Sequence, residues 1–221
     1  MLRLKLFCLI TVFLIGFSTA SVYEVQNYDK SVVEVKEADE SIMKGTGFVY
    51  GSEGYIITNN HILVENGVDQ DLDIRFNHSS EWIETETLAG DSESDLAVLK
   101  PEDLPEGVEG IEISNSTVME GEKLVIISKR LYSGLVVGGA EVVDLKEDIT
   151  TIEGVVLNDS IVVDASVRPG DSGSPAVNSE GELVGVVTAR DKYSDTAFLI
   201  PAYKIKNTLN DVKRTNKARI K

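Results

Sequence analysis

Short runs of β-branched and aromatic residues, each bounded by turn-forming residues, recur along most of this chain and favour an all-β fold. Many short strands at this spacing are typical of a β-barrel or a β-sandwich. The alternative, alternating β and α units, requires helical periodicity between strands, and the sequence has none before its C-terminus. There, apolar residues at a roughly helical period predict one helix over about 203–213. The predicted strands are Ser31–Val35, Gly47–Tyr50, Tyr55–Thr58, Asp73–Phe76, Leu96–Leu99, Lys123–Ile127, Leu135–Val137, Ser160–Val163, Leu183–Thr188 and Ala197–Ile200.

A segment rich in Pro, Glu and Gly, Pro101–Gly110, divides the strand-rich region and predicts a linker between two halves. With 221 residues and a hydrophobic fraction of 42%, the chain is long enough for one sizeable domain or for two lobes that share an interface. We expect the N-terminal lobe to cover about 31–110 and the C-terminal lobe about 118–203.

The first 20 residues have the pattern of a secretory signal. Arg3 and Lys5 form a short basic start, Leu6–Phe17 is apolar, and small residues up to Ala20 offer a cleavage site. The alternative is an uncleaved anchor, because the uncharged stretch after Lys5 is just long enough to span a bilayer. In either case we expect 21–221 to lie outside the cytoplasm, secreted or at the cell surface, with membrane contact only if the segment is uncleaved.

Composition excludes several kinds of partner and site. The net charge of -16 repels nucleic-acid phosphate and anionic lipid, so no nucleic-acid partner is expected. The only cysteine, Cys8, lies in the apolar N-terminal run, which leaves the folded part without a disulfide or a thiolate metal site. Asp69, Asp71 and Asp73 alternate as at the start of a calcium loop, but the glycine and distal glutamate of such a loop are absent. We therefore expect no metal and no cofactor.

Three separate segments carry a candidate nucleophile, base and acid. Ser172 lies in Gly-Asp-Ser-Gly, whose glycines permit a tight loop that exposes Oγ and frees the flanking amides. His61 closes an apolar strand, and histidine is the side chain best suited to general-base work near neutral pH. Asp95 opens a buried strand, where a carboxylate can accept a hydrogen bond from the imidazole Nδ1–H; Asp91 is the alternative acid. The other histidine, His78, lies in a turn-like segment and is expected at the surface.

The order and spacing of these segments resemble those of chymotrypsin-clan serine proteases, and most closely the protease domain of HtrA/Deg proteases. The resemblance covers roughly Val22 to Leu209 and implies two antiparallel Greek-key, six-stranded β-barrels with the active site in the cleft between them. It also implies a serine endopeptidase that cleaves proteins or peptides through an acyl-enzyme intermediate. The triad would be His61, Asp95 and Ser172, and the backbone amides of Gly170 and Ser172 would form the oxyanion hole. The matching segments are Gly45–Val49, Gly54–His61, Asp91–Lys100, Asp164–Val187 and Phe198–Pro201.

The same resemblance implies where the residue before the cut would bind. Ser166 would lie at the base of the pocket, Thr188, Ala189 and Arg190 along one wall, and Ala197 near the other. No acid stands at the base, so a preference for Lys or Arg is not expected. Arg190 and Ala197 occupy places where related enzymes have glycine, which narrows the pocket and favours small aliphatic residues. The alternative is that Arg190 turns inward and binds an acidic side chain.

Two residues depart from the HtrA/Deg pattern, which usually has Asn before the serine and Gly two positions after it. Here these residues are Asp171 and Ser174. A buried Asp171 carboxylate would require a cation, and Arg130 lies where some bacterial relatives supply an internal arginine for a two-pronged hydrogen bond. The alternative is that both side chains face water. The sequence ends after the protease-like region, so no PDZ module is expected.

Two other functions are alternatives to the endopeptidase. A non-catalytic peptide-binding module on the same fold is disfavoured, because such modules usually lack a triad residue and all three are present here. An α/β-hydrolase esterase would require the chain order Ser, Asp, His and a glycine at position 174. The order His61, Asp95, Ser172 excludes it.

Overall fold

The computed structural model describes residues 28–65, 68–77, 79–131, 133–150 and 156–219. The predicted signal segment and His78 lie outside these residues. Within the described ranges, strands form two closed six-stranded barrels and one small sheet, which confirms the all-β prediction. A single turn of 3-10 helix, Tyr28–Lys30, precedes the first barrel.

The N-terminal barrel is closed by strands in the order β1-β2-β3-β8-β7-β6, an antiparallel Greek-key arrangement. Alternate residues of these strands point inward, and their core side chains include Val33, Val35, Ile56, Ile74 and Leu99, all at most 1% exposed. The strands are β1 (Val32–Glu37), β2 (Gly45–Tyr50), β3 (Tyr55–Thr58), β6 (Leu72–Phe76), β7 (Ile83–Asp91) and β8 (Leu96–Pro101). A short helix, α1 (Asn60–Leu63), and the two-stranded sheet of β4 (Val64–Glu65) and β5 (Val68–Asp69) lie between β3 and β6.

The C-terminal barrel is closed in the order β10-β11-β14-β13-β12-β9 and has its own core, which includes Leu124, Val163, Ala176 and Leu199. Its strands are β9 (Lys123–Arg130), β10 (Gly134–Thr150), β11 (Val156–Asp164), β12 (Pro175–Val177), β13 (Leu183–Arg190) and β14 (Thr196–Pro201). The segment between the barrels pairs with both, since Ile111 N donates to Val49 O and Leu183 N donates to Glu112 O.

A third apolar cluster joins the two barrels. Phe48 and Val98 of the N-terminal barrel belong to it together with Ile127 and Val186 of the C-terminal barrel. Lys129, 1% exposed, also crosses between the barrels and donates from Nζ to Asn77 Oδ1 at 2.6 Å. The barrels therefore share buried apolar surface, whose removal from water stabilises their contact.

The C-terminal helix, α2 (Tyr203–Arg219), leaves the last strand of the C-terminal barrel and packs against β7 and β8 of the other barrel. Ile205 and Leu209 enter the shared cluster from this helix. The helix continues past position 213, the predicted end, through residues that include lysine, arginine and alanine, which have high helix propensity. Within the described residues, no helix is both long and apolar enough to cross a membrane.

Candidate active site

Asp95 fixes His61 through two contacts at the edge of the N-terminal barrel. His61 lies in the first turn of α1, directly after Asn60, and its backbone N–H donates to Asp95 Oδ1 at 2.9 Å. Its ring Nδ1 lies 2.9 Å from Asp95 Oδ2. Asp95 is 2% exposed and has a positive φ of 54°, a conformation that aspartate tolerates better than most residues. The carboxylate therefore orients the imidazole and leaves Nε2 as the ring nitrogen that faces away from it.

Backbone contacts hold Asp95 itself in place. The carbonyl of Asp95 accepts hydrogen bonds from Asn60 N and from Asn59 Nδ2, both at 3.1 Å. Asp91, the alternative acid, accepts instead from the backbone and hydroxyl of Ser94 and caps its own turn. Of the two candidate acids, Asp95 is the one that contacts His61.

Thr188 of the C-terminal barrel also contacts the Asp95 carboxylate, a role that sequence reasoning missed. Thr188 Oγ1 donates to Asp95 Oδ2 at 2.5 Å, and Thr188 is 5% exposed. The only local signal is a hydroxyl residue near the end of an otherwise apolar strand. The contact joins residues 93 positions apart, so no local pattern reveals it. It gives Asp95 a second donor and links the acid of one barrel to a strand of the other.

The loop that carries Ser172 closes against β2 of the N-terminal barrel. Thr46 N donates to Ser172 O at 2.8 Å. A Cβ added to Gly45 would lie 3.0 Å from Ser172 O and 2.3 Å from Ile62 Cδ1, so this loop and the residue after His61 meet at Gly45. Gly173 has a φ of +83°, and a Cβ there would lie 2.0 Å from Thr46 O, so only glycine fits. The structure thus brings the Ser172 segment to the helix that carries His61.

Hydrogen bonds within the loop define its shape. Asp171 N donates to Arg168 O, Ser174 N donates to Asp171 O, and Gly173 N donates to Val187 O of β13. The residues on either side of Asp171 are Gly170 and Ser172, the predicted oxyanion-hole residues.

Asp171 is buried and ion-paired, which confirms the predicted contact with Arg130. Arg130 Nε donates to Asp171 Oδ1 at 2.7 Å, and Nη2 donates to Oδ2 at 2.5 Å. Arg168 N adds a third bond to Oδ2 at 2.8 Å. The side chains of Arg130 and Asp171 are 20% and 1% exposed, so the alternative in which both face water does not hold.

The predicted pocket residues differ in their exposure. Ser166 and Arg190 are exposed and Ala189 is half-buried. Ala197 is completely buried among the core residues of the C-terminal barrel, and the Thr188 hydroxyl is occupied by Asp95. In this conformation the side chains of Thr188 and Ala197 are not open to a ligand. Of the five residues, Ser166, Ala189 and Arg190 are the ones whose side chains are accessible.

Among the described residues, no group of three or more His, Cys, Asp or Glu side chains is placed to hold a metal ion. Asp73, one of the three alternating aspartates, forms an ion pair with Lys36 at 2.9 Å instead.

A family profile described as "Trypsin-like peptidase domain" matches residues 45–186, which include His61, Asp95 and Ser172. The chain belongs to the trypsin-like peptidase family. The match spans both barrels, from β2 to β13.

Relatives of this trypsin-like peptidase include proteins named "Serine protease HtrA-like" from Staphylococcus aureus. The one from the bovine strain RF122 / ET3-1 is 30% identical over 236 aligned residues, which cover 90% of this chain and 29% of the relative. The one from strain USA300 is likewise 30% identical over 225 residues, with the same coverage. The chain thus spans about three-tenths of the length of these relatives.

Solved structures share the fold. The Rv3671c protease from M. tuberculosis in its active form superimposes with a TM-score of 0.75 at 20% identity, over 91% of this chain and 94% of that one. The serine endoprotease from Yersinia pestis gives a TM-score of 0.72 at 24% identity, over 90% of this chain and 68% of that one.

Proposed function

We propose that this trypsin-like peptidase is an active serine endopeptidase that uses Ser172, His61 and Asp95. The observation that carries the proposal is the His61–Asp95 pair, held at 2.9 Å beside the loop of Ser172. A general base requires a fixed tautomer and orientation, which the Asp95 carboxylate supplies, with Thr188 as its second donor.

In the proposed mechanism Ser172 Oγ attacks the carbonyl carbon of the scissile peptide bond while His61 Nε2 takes the hydroxyl proton. The carbonyl oxygen becomes an oxyanion, which the amides of Gly170 and Ser172 stabilise. The C–N bond then breaks, and His61 gives its proton to the leaving amine. A water molecule, which loses a proton to His61, then attacks the acyl-enzyme in the same way. Ser172 is regenerated and the carboxylic acid product is released. Asp95 remains a carboxylate and stabilises the imidazolium at each step.

The proposal is tested by peptide cleavage with the wild-type protein and its Ser172→Ala variant. We expect Ser172→Ala to lower turnover by roughly 10³-fold or more while the circular-dichroism spectrum stays unchanged. Near-normal cleavage by that variant, with contaminating proteases excluded, would defeat the assignment. Peptide binding by the wild-type protein without any cleavage would favour the alternative, a non-catalytic binding module.

We further propose that Ser166, Ala189 and Arg190 contact the residue before the cut. The residue proposed for the base of the pocket is Ser166 and not an acid, so we expect a substrate with a small aliphatic residue before the cut to be cleaved in preference to one with Lys or Arg. The alternative is an acidic residue at that position, bound by the Arg190 guanidinium. Cleavage of a peptide library measures this preference. A dominant preference for Lys or Arg would contradict both versions.

The natural substrates are proposed to be proteins or peptides outside the cytoplasm, and nucleic acid is disfavoured by the net charge of -16. The location rests on the N-terminal signal pattern alone. N-terminal sequencing of the secreted protein should begin just after Ala20, whereas retention of the apolar segment in a membrane fraction would indicate the anchor.

A further inference from the structure

The hydroxyl of Thr46 lies at a junction between the two barrels. Thr46 is on β2 of the N-terminal barrel and is 0% exposed. Its Oγ1 accepts a hydrogen bond from Lys129 N at 3.0 Å, at the end of β9 in the other barrel. The hydroxyl proton has two acceptors in range, Gly170 O at 2.8 Å and Lys129 O at 3.2 Å. A hydroxyl has one proton to donate, and the shorter contact is with Gly170.

The backbone of the same residue contacts the nucleophile. Thr46 N donates to Ser172 O at 2.8 Å. Thr46 O accepts from Thr58 Oγ1 of β3 at 2.8 Å, which fixes β2 from its other side. One buried threonine therefore binds the carbonyls of both Gly170 and Ser172, the two residues whose amides are proposed to form the oxyanion hole.

We infer that Thr46 is a positioning residue for the oxyanion hole, an inference that rests on the proposed function. Gly170 has a φ of +97°, and a glycine has no Cβ to restrict rotation of its flanking peptide planes. A bond to its carbonyl fixes the peptide plane that follows Gly170. This limits rotation of the loop at the glycine and thereby restrains the Gly170 N–H, which lies in the preceding peptide plane. Stabilisation of an oxyanion requires donors that are already in place, because the site cannot reorganise during the reaction without cost.

The anchor comes from the barrel that carries the base. His61, Asp95 and Thr46 belong to the N-terminal barrel, whereas Gly170 and Ser172 belong to the segment before β12 in the C-terminal barrel. Thr46 thereby connects the loop that carries the proposed oxyanion donors to the same barrel that positions the His61 imidazole. Arg130 anchors the same loop from the C-terminal barrel through Asp171, so the loop is held from two sides.

Three substitutions of Thr46 separate the hydroxyl from the volume of the side chain. Thr46→Ser keeps the hydroxyl, Thr46→Val keeps the shape, and Thr46→Ala loses both. We expect Val and Ala to lower kcat about 10- to 100-fold with KM changed less than about threefold, because the donors matter in the transition state. Thr46→Ser should stay close to wild type.

A matched control is Thr85→Val. Thr85 Oγ1 donates to Leu72 O at 2.6 Å between β6 and β7, so this variant also loses a threonine-to-carbonyl hydrogen bond in the N-terminal barrel, away from the loop. Its melting temperature should fall as a structural role predicts, but its kcat should not change.

A peptide aldehyde gives a readout that a merely structural role would not move. Ser172 Oγ adds to the aldehyde carbon, His61 takes the hydroxyl proton, and the carbonyl oxygen becomes the anion of the hemiacetal. In Thr46→Val the inhibition constant of the aldehyde should rise in proportion to the loss in kcat/KM. The affinity for the matching peptide alcohol, which forms no oxyanion, should stay the same.

Two outcomes would overturn the inference. One is an equal kcat in Thr46→Ser and Thr46→Ala. The other is a change confined to KM, together with an equal loss of affinity for the peptide aldehyde and the peptide alcohol. If Thr46→Val does not fold by circular dichroism, the Ser and Ala variants decide, since they differ only by the hydroxyl oxygen. If Ser172→Ala abolishes cleavage but the three single Thr46 variants all keep the wild-type kcat, this inference alone is refuted. Full activity of Ser172→Ala refutes the proposed function instead.

Discussion

Asp171 shows how one buried charge shapes the loop that carries Ser172. Its carboxylate accepts three hydrogen bonds, two from the Arg130 guanidinium and one from Arg168 N. The cation is internal to the chain, so the ion pair that holds the Ser172 loop forms without a newly cut N-terminus. We therefore expect activity that needs no proteolytic step beyond removal of the signal.

Arg130→Ala should lower kcat/KM at least about tenfold, because a buried carboxylate without its cation is costly and the loop will rearrange to reach water. The control is Arg75→Ala, which removes an arginine that pairs with Glu34 at 2.5 Å on the N-terminal barrel. Kinetics on a peptide substrate measure both. The double variant Arg130→Ala/Asp171→Asn should recover part of the loss, since it removes the orphaned charge. Wild-type activity in Arg130→Ala would contradict this account.

The sequence predicted the separate residues of the candidate site and two of their contacts, His61 with Asp95 and Arg130 with Asp171, but not the contacts that threonines make between the barrels. His61, Asp95 and Ser172 each lie next to a strong local pattern of apolar runs or glycines. The Arg130–Asp171 pair was predicted because a buried acid requires a cation and because the family resemblance implied an internal arginine near position 130. The roles of Thr46 and Thr188 depend on contacts between barrels across 124 and 93 positions, which no local period encodes.

At the scale of elements, two strands that sequence analysis missed are either largely polar or very short. The strand β7 carries Glu84 and Glu86 and has no fully buried residue, so its place in the barrel comes from pairing with β6 and β8. The strand β12 has only three residues and starts at Pro175. Strand pairing within a closed barrel can thus override a weak local preference.

The helix α2 acts as a brace, since it begins in the C-terminal barrel and buries Ile205 in the cluster shared with the N-terminal barrel. Ile205 is 0% exposed, so Ile205→Ala should lower the free energy of unfolding by about 2–5 kcal/mol. Urea denaturation measures this change. Lys206→Ala, on the exposed side of the same helix, is the control and should change it by less than about 0.5 kcal/mol. Equal effects of the two variants would show that the helix does not brace the barrels.

At the scale of the whole molecule, the shared apolar cluster predicts that the two barrels unfold together. Trp82, the only tryptophan, reports on the N-terminal barrel, where it stacks with Lys36 and Arg75. Far-ultraviolet circular dichroism reports on the strands of both barrels. We expect the two urea transitions to coincide, as for a two-state domain. A separate, earlier transition by either probe would show that the barrels are independent units.

Reaction with a fluorophosphonate tests whether Ser172 is the nucleophile and whether His61 activates it. Ser172 Oγ should form a bond to phosphorus as fluoride leaves, and mass spectrometry of a digest should place the adduct on the peptide that contains Ser172. The account predicts no adduct in Ser172→Ala and a much slower reaction in His61→Ala. An adduct on another residue, or undiminished labelling of Ser172→Ala, would contradict it.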